Sequence, residues 1–170
     1  MVRLGAILLT SFLGLAMASC GGWQLRGVGQ NTVADIPIHV VEKNARSVGR
    51  AFREQWSSLG GGLVAIRDAD FTLIIEQEQY VRSLLSVSPK TGKAREINLK
   101  LEVKFSMRSN DGTLLIAEQV FGAERDFIFD ETSVYGSNEN SVVLKEALAK
   151  LVAIEAAARA SSSAAAYREK

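Results

Sequence analysis

The 170-residue chain has one cysteine, one histidine and two prolines. Each scarcity excludes something. A lone cysteine, Cys20, cannot close a disulfide within the chain, so the fold must hold by packing alone. Cys20 and His39, the one histidine, offer no metal-ligand spacing of the kind a structural zinc needs. They also leave no nucleophile–base pair. No Gly-x-Ser-x-Gly elbow occurs, and no glycine-rich phosphate loop follows a strand. Neighbouring carboxylates such as Glu76 and Glu78 fit a solvated strand face. The residues therefore point away from an enzyme, with neither cofactor nor metal expected. Charge of one sign is scarce as well: 20 Lys and Arg stand against 19 Asp and Glu, a net charge of +1. Phosphate backbones need clustered cations, so nucleic acid is not an expected partner.

What is present begins at the amino terminus. Arg3 precedes a mostly apolar run over residues 4–17, and the small pair Ala18-Ser19 stands directly before Cys20. A charged start, a short apolar stretch and small residues at a cut site make a secretory signal. The run is too short for a membrane span, which needs about 20 apolar residues. With the cysteine after the small pair, the segment resembles a bacterial lipobox. That resemblance implies a signal peptide over 1–19, a diacylglycerol (palmitate or a similar chain) on the Cys20 thiol, and an acylated new amino terminus. One acyl chain binds a membrane only marginally, whereas several hold it firmly. In lipoprotein sorting an aspartate after the cysteine favours the inner membrane. Gly21 stands there instead, which implies an outer-membrane, periplasm-facing protein held by its lipid anchor.

The remaining chain, of which the whole is 47% hydrophobic, suits one packed domain. Residues 20–34, rich in Gly, Gln and Asn, read as a tether. Residues 35–158 read as the domain and 159–170 as an Ala- and Ser-rich tail that extends the last helix or frays. Within the domain, Ile36, Ile38 and Val40 alternate with Pro37 and His39, the period of a strand. Asn44 is the expected N-cap of a helix whose inner face is Val48, Phe52, Trp56 and Leu59, stopped by Gly60-Gly61-Gly62. Strands are expected over 69–80, 95–107 and 113–123. The middle one sets Ile97, Leu99, Leu101, Val103, Phe105 and Met107 against Glu96, Asn98, Lys100, Glu102, Lys104 and Ser106, one dry face and one wet. Asn110-Asp111-Gly112 is a hairpin turn. Residues 126–140 read as a polar loop. A final helix after Ser137-Asn138 is expected to bury Val143 or Leu144, Ala147, Leu148, Leu151, Val152 and Ile154. The sum is an α+β two-layer sandwich, two helices packed on one face of a mixed four-stranded sheet.

The stretch Cys20-Gly21-Gly22-Trp23-Gln24-Leu25-Arg26-Gly27 resembles the mature start of the LptE family of lipopolysaccharide-assembly lipoproteins. The order of elements is similar too, as is the run from Val120-Phe121 to Ser137-Asn138-Glu139 and Val143-Leu144-Lys145-Glu146. The departures are an extra glycine and Gln24 where histidine is common. The resemblance implies a non-enzymatic protein that plugs the outer-membrane β-barrel LptD, supports its assembly and serves lipopolysaccharide transport to the outer leaflet. It further implies lipopolysaccharide contact at a basic loop between the second and third expected strands, which here holds Lys90, Lys93 and Arg95. The bland reading of that loop is a solvated turn built on Pro89 and Gly92. A second basic position of the family falls at Tyr135-Gly136-Ser137, where this chain has no cation. The rival function is an auxiliary lipoprotein of a phospholipid-transport system.

Overall fold

Period-two alternation and two helical stripes fold into one sheet with one helical layer. The computed structural model describes residues 33, 36–92, 94–128 and 134–169, without the side chains of 94, 95 and 134–140. The elements run β1 (Pro37–Lys43), α1 (Arg46–Ser58), β2 (Gly62–Leu63), β3 (Phe71–Val87), β4 (Ala94–Ser109), β5 (Leu114–Ile128) and α2 (Val134–Arg168), with a 3₁₀ turn at Ile66–Asp68. The sheet order is β2-β1-β3-β4-β5. β1 is parallel to both β2 and β3, while β3, β4 and β5 are antiparallel.

The sheet thus has five strands rather than the expected four. After α1 the glycines let the chain double back beside β1. Gly62 N donates to Ile36 O at 3.2 Å and Val64 N to Ile38 O at 3.0 Å. A two-residue strand carries no readable alternation, so only the glycines foreshadow it. Gly61 is required for a second reason. A Cβ there would lie 2.2 Å from Trp56 Nε1, because the chain presses on the indole as it turns.

The core lies between the sheet and the two helices. Ile38, Phe71, Leu73, Ile75, Leu101, Val103, Phe105 and Met107 are buried from the strands, and Val48, Phe52 and Trp56 from α1. Phe52 stacks on Trp56 with centroids 5.7 Å apart, and Phe105 meets Phe121 edge-on at 5.1 Å. Each such side chain contributes about 1.5–3 kcal/mol by leaving water. Leu59, expected on the inner face, lies just past the helix and is partly exposed.

The buried stripe of α2 differs from expectation. Leu148 and Val152 are buried, but the rest of the face is small: Ala149, Ala153, Ala156, Ala157, Ala160, Ser161 and Ala164. Val143, Leu151 and Ile154 face outward. Alanines let a helix axis approach its support closely, so the larger side chains are turned to the other side. The Ala- and Ser-rich tail takes the first of its two expected forms and extends the helix. The helix continues to Arg168, and residues 159–168 belong to it. The helix also begins earlier than expected, at Val134, and 126–128 extend β5 rather than open a loop.

Candidate functional site

β3 runs well past the strand end expected at 80 and pairs with β4, which starts at Ala94, to form an arm that reaches the 88–92 turn. The arm starts at a bulge. Register between β3 and β4 shifts at Glu76/Gln79, and Gln77 takes φ 57. The extra residue reverses which side chains face the helices. Before it, Ile75 opposes Phe105; after it, Tyr80 opposes Leu101 and Leu84 opposes Ile97. A second shift falls between Leu84 and Ser86.

The bulge also fastens the arm to α1. Glu78 N donates to Asn44 O at 3.0 Å. The Glu78 carboxylate accepts from Ser47 N at 2.9 Å and Val48 N at 3.1 Å. A negative charge on free amides at a helix N-terminus is favourable twice over, by hydrogen bonding and by the helix dipole. Asn44 is therefore not the N-cap expected from the sequence. The N-cap position is Ala45, with no capping side chain of its own, and Glu78, 30 positions beyond Val48, supplies the acceptor. Beside it, burial above all, then the Glu78 charge, pushes the Tyr80 phenol well above its ordinary range. Tyr80 Oη donates to Lys145 O at 3.4 Å, and Lys145 Nζ sits 5.2 Å from the ring centroid.

Beyond Tyr80 the arm exposes apolar side chains. Leu84 is 58% exposed, Leu85 53%, Val87 50%, and Ile128 on β5 72%. The turn at its end closes on itself: Gly92 N donates to Ser88 O at 2.8 Å, Thr91 N to Ser88 Oγ at 3.4 Å, and Gly92 takes φ 68. Lys90 is exposed on this turn. Lys93 lies outside the described residues, and Arg95 lies in β4 with its side chain outside them. Because β2 intervenes, this is the turn between the third and fourth strands. Tyr135, Gly136 and Ser137 fall in the first turns of α2, and Cys20 lies outside the described residues.

At the other end of the sheet the side chains are tied down. Asp111 in the β4–β5 turn accepts from Thr113 N at 2.9 Å, from Tyr167 Oη at 2.6 Å, and from Ser109 Oγ. These donors, the Ser109 hydroxyl first and Tyr167 next, hold its carboxyl well below the usual carboxylate range. Arg168 pairs with Asp70 at 2.6 Å. The cleft there, about 410 Å³, is lined by Asp70, Phe71, Ser109, Asn110, Asp111, Tyr167 and Arg168. Asp70 pairs with Arg168 and Asp111 accepts from Tyr167, both on the last turn of α2, so the cleft is a clamp on that helix. His39 engages Val64 O at 3.0 Å. Among the described residues no cluster of His, Cys, Asp or Glu could hold a metal, and no helix is long and apolar enough to cross a membrane.

No protein-family model matches this chain, and no curated protein matches it in sequence. Solved structures do share its fold. A lipoprotein B from Nitrosomonas europaea aligns with a TM-score of 0.66 at 18% identity, over 85% of this chain and 94% of that one. A minor lipoprotein from Acinetobacter baumannii aligns at 0.62 and 19% identity, over 75% and 91%. A rare lipoprotein B from Shewanella oneidensis aligns at 0.57 and 22% identity, over 78% and 96%. The fold of this domain is thus one found in bacterial lipoproteins.

Proposed function

We propose that this chain is an outer-membrane lipoprotein of lipopolysaccharide assembly. Cys20 carries the acyl chains, and the domain faces the periplasm. It sits in the lumen of the LptD barrel, supports assembly of that barrel, and takes part in moving lipopolysaccharide to the outer leaflet. The observation that carries the reading is a conjunction. The lipobox and the Trp23-Gln24-Leu25-Arg26 start resemble the LptE family, and the domain that follows has a fold found in lipoproteins, a rare lipoprotein B among them. The wet sheet face adds physical sense. Lys43–Glu76 at 2.7 Å, Lys100–Glu102 at 2.7 Å and Lys104–Glu118 at 3.2 Å make a charged, hydrated surface suited to the polar inside of a large barrel. The reading calls for no catalysis.

Lipopolysaccharide contact is assigned to Lys90, Lys93 and Arg95. Lipid A is an amphiphile with phosphates beside acyl chains. The turn offers an exposed ammonium at Lys90 within a few residues of the exposed Val87 and Leu85. Ammonium–phosphate hydrogen bonds are charge-assisted and stronger than neutral ones. The test has two arms. Tagged full-length chain extracted in detergent should bring down a large β-barrel; recovery of an inner-membrane transporter instead would favour the phospholipid-transport reading and end this one. The double change Lys90→Glu and Lys93→Glu should weaken lipopolysaccharide binding while the circular dichroism spectrum stays unchanged. Undiminished binding would remove the basic turn from the proposal.

A further inference from the structure

α2 is apolar on two sides. Its inner stripe, from Leu148 to Ala164, is buried in the core shared with the sheet and α1. Its outer side carries a second stripe: Ala147, Leu151, Ile154 and Ala158, three and four residues apart. Leu151 is 42% exposed and Ile154 50%, and Ala158 is exposed with them. A helix at the surface of a domain normally turns charge outward, whereas one that is apolar all round is covered all round. The outer stripe is the side of α2 that no described residue covers.

That spacing is the a/d spacing of a coiled-coil seam, with Leu151 and Ala158 at a and Ala147 and Ile154 at d. The same frame puts Lys150 at g and Glu155 at e, one on each flank of the stripe. Both are exposed, and among the described residues neither side chain has an ion-pair partner. The other charges of this stretch lie farther from the seam. Glu146, at c, pairs with Arg50 at 3.6 Å, and Arg159 falls at b.

We infer that the outer stripe of α2 pairs in parallel with the same stripe of a second copy of this chain. The flanking charges select that occupant and that direction. In a parallel two-stranded seam the g residue of one helix faces the e residue of the next heptad of the other. Lys150 then meets the partner's Glu155, and the two-fold repeats the pair. Antiparallel packing sets g beside g and e beside e, which brings no acid to Lys150. Other covers fit less well. The inside of a large barrel is polar. A helix lying on lipid carries basic flanks toward anionic headgroups, whereas one flank here is Glu155. Ala147 and Ala158 bracket the two large side chains, so the axes approach closely around Leu151 and Ile154. The seam runs about 17 Å at 1.5 Å per residue, at the small end of interfaces, so the pair is reversible. The inference goes beyond the proposed function without resting on it.

The test uses the full chain in detergent, sedimented across a concentration series. A monomer–dimer equilibrium is expected. Leu151→Asp should abolish it while the circular dichroism spectrum stays unchanged. Lys150→Glu should raise the dissociation constant at least about tenfold. Adding Glu155→Lys to the same chain should bring it back to within about threefold of the parent, a rescue that a structural role of either residue alone does not give. Direction is read by crosslinking in a Cys20→Ser background. Ala158→Cys should form a disulfide-linked dimer with itself under mild oxidation, and Ser57→Cys on α1 should not. A monomer at every concentration, a dimer indifferent to Leu151→Asp, or a charge exchange that fails to rescue would overturn the proposal. So would crosslinking that needs a mixture of Ala147→Cys and Ala158→Cys chains, because it reports antiparallel packing. Binding to phosphatidylglycerol vesicles that Leu151→Asp removes, with no dimer in solution, would reassign the stripe to lipid and overturn it too.

Discussion

The two ends of the β3–β4–β5 ribbon have similar sequences of strand residues and opposite fates. At the β4–β5 turn, Phe71, Met107 and Ser109 are buried beneath the last turns of α2, with Tyr167 and Arg168 bonded to Asp111 and Asp70. Near the β3–β4 turn, Leu84, Leu85 and Val87 are about half exposed. Apolar content does not separate the ends. What separates them is whether a helix returns over β3. α1 ends its cover where Glu78 meets its N-terminus, and the bulge at Gln77 marks that boundary. Burial and exposure are thereby divided along a single strand.

The largest break in this comparison is in the covered half. Trp56→Ala empties a fully buried site against Phe52 and Gly61. It should cost about 3–5 kcal/mol, read as a lower urea midpoint with an unchanged slope. Leu84→Ser in the open half should stay within about 0.5 kcal/mol. Equal losses at the two sites would mean that the arm is as tightly packed as the core.

A smaller effect is expected at the boundary. Glu78→Ala removes the acceptor for Ser47 N and Val48 N. The loss should be about 1.5–3 kcal/mol, the range for hydrogen bonds to a charged group. It should be accompanied by faster amide exchange in the first turn of α1. A stability loss without faster exchange there would mean that the carboxylate acts elsewhere.

Much of this was legible in the residues. The alternation of Ile97 through Met107 locates β4 and its dry face, and Val48, Phe52 and Trp56 locate that of α1. Asn110-Asp111-Gly112 is a turn, with Gly112 at φ 88. The rest was hidden for physical reasons. After Tyr80 the bulges break period two, so β3 looks shorter than it is. Alanine gives no contrast, so the deep face of α2 cannot be told from its outer face. The cap of α1 comes from Glu78, which local sequence rules do not reach. For the candidate site, the charge of Lys90 is visible in sequence, but the exposed arm beyond Tyr80 is a property of where β1 stops.

The smallest predicted effect concerns pH at the clamped end. Asp111 has its pKa lowered in the folded chain by Ser109, Tyr167 and Thr113. A depressed carboxylate contributes stability above its unfolded pKa, about 3.9, and that stability is lost as pH falls through the folded value. Tyr167→Phe keeps the ring against Phe71, whose centroid lies 5.9 Å away, and deletes one donor to Asp111. The depression becomes smaller, so the variant should be less stable than the parent above about pH 4 and begin acid unfolding at a higher pH, with the gap closing as pH falls through the folded value; the effect is small throughout because the carboxylate is screened by solvent. The comparison with Leu84→Ser sharpens it. That change lies outside the clamp and should leave the acid midpoint where it was. An acid midpoint that moves in both variants would place the titrating group outside the Asp111 cluster.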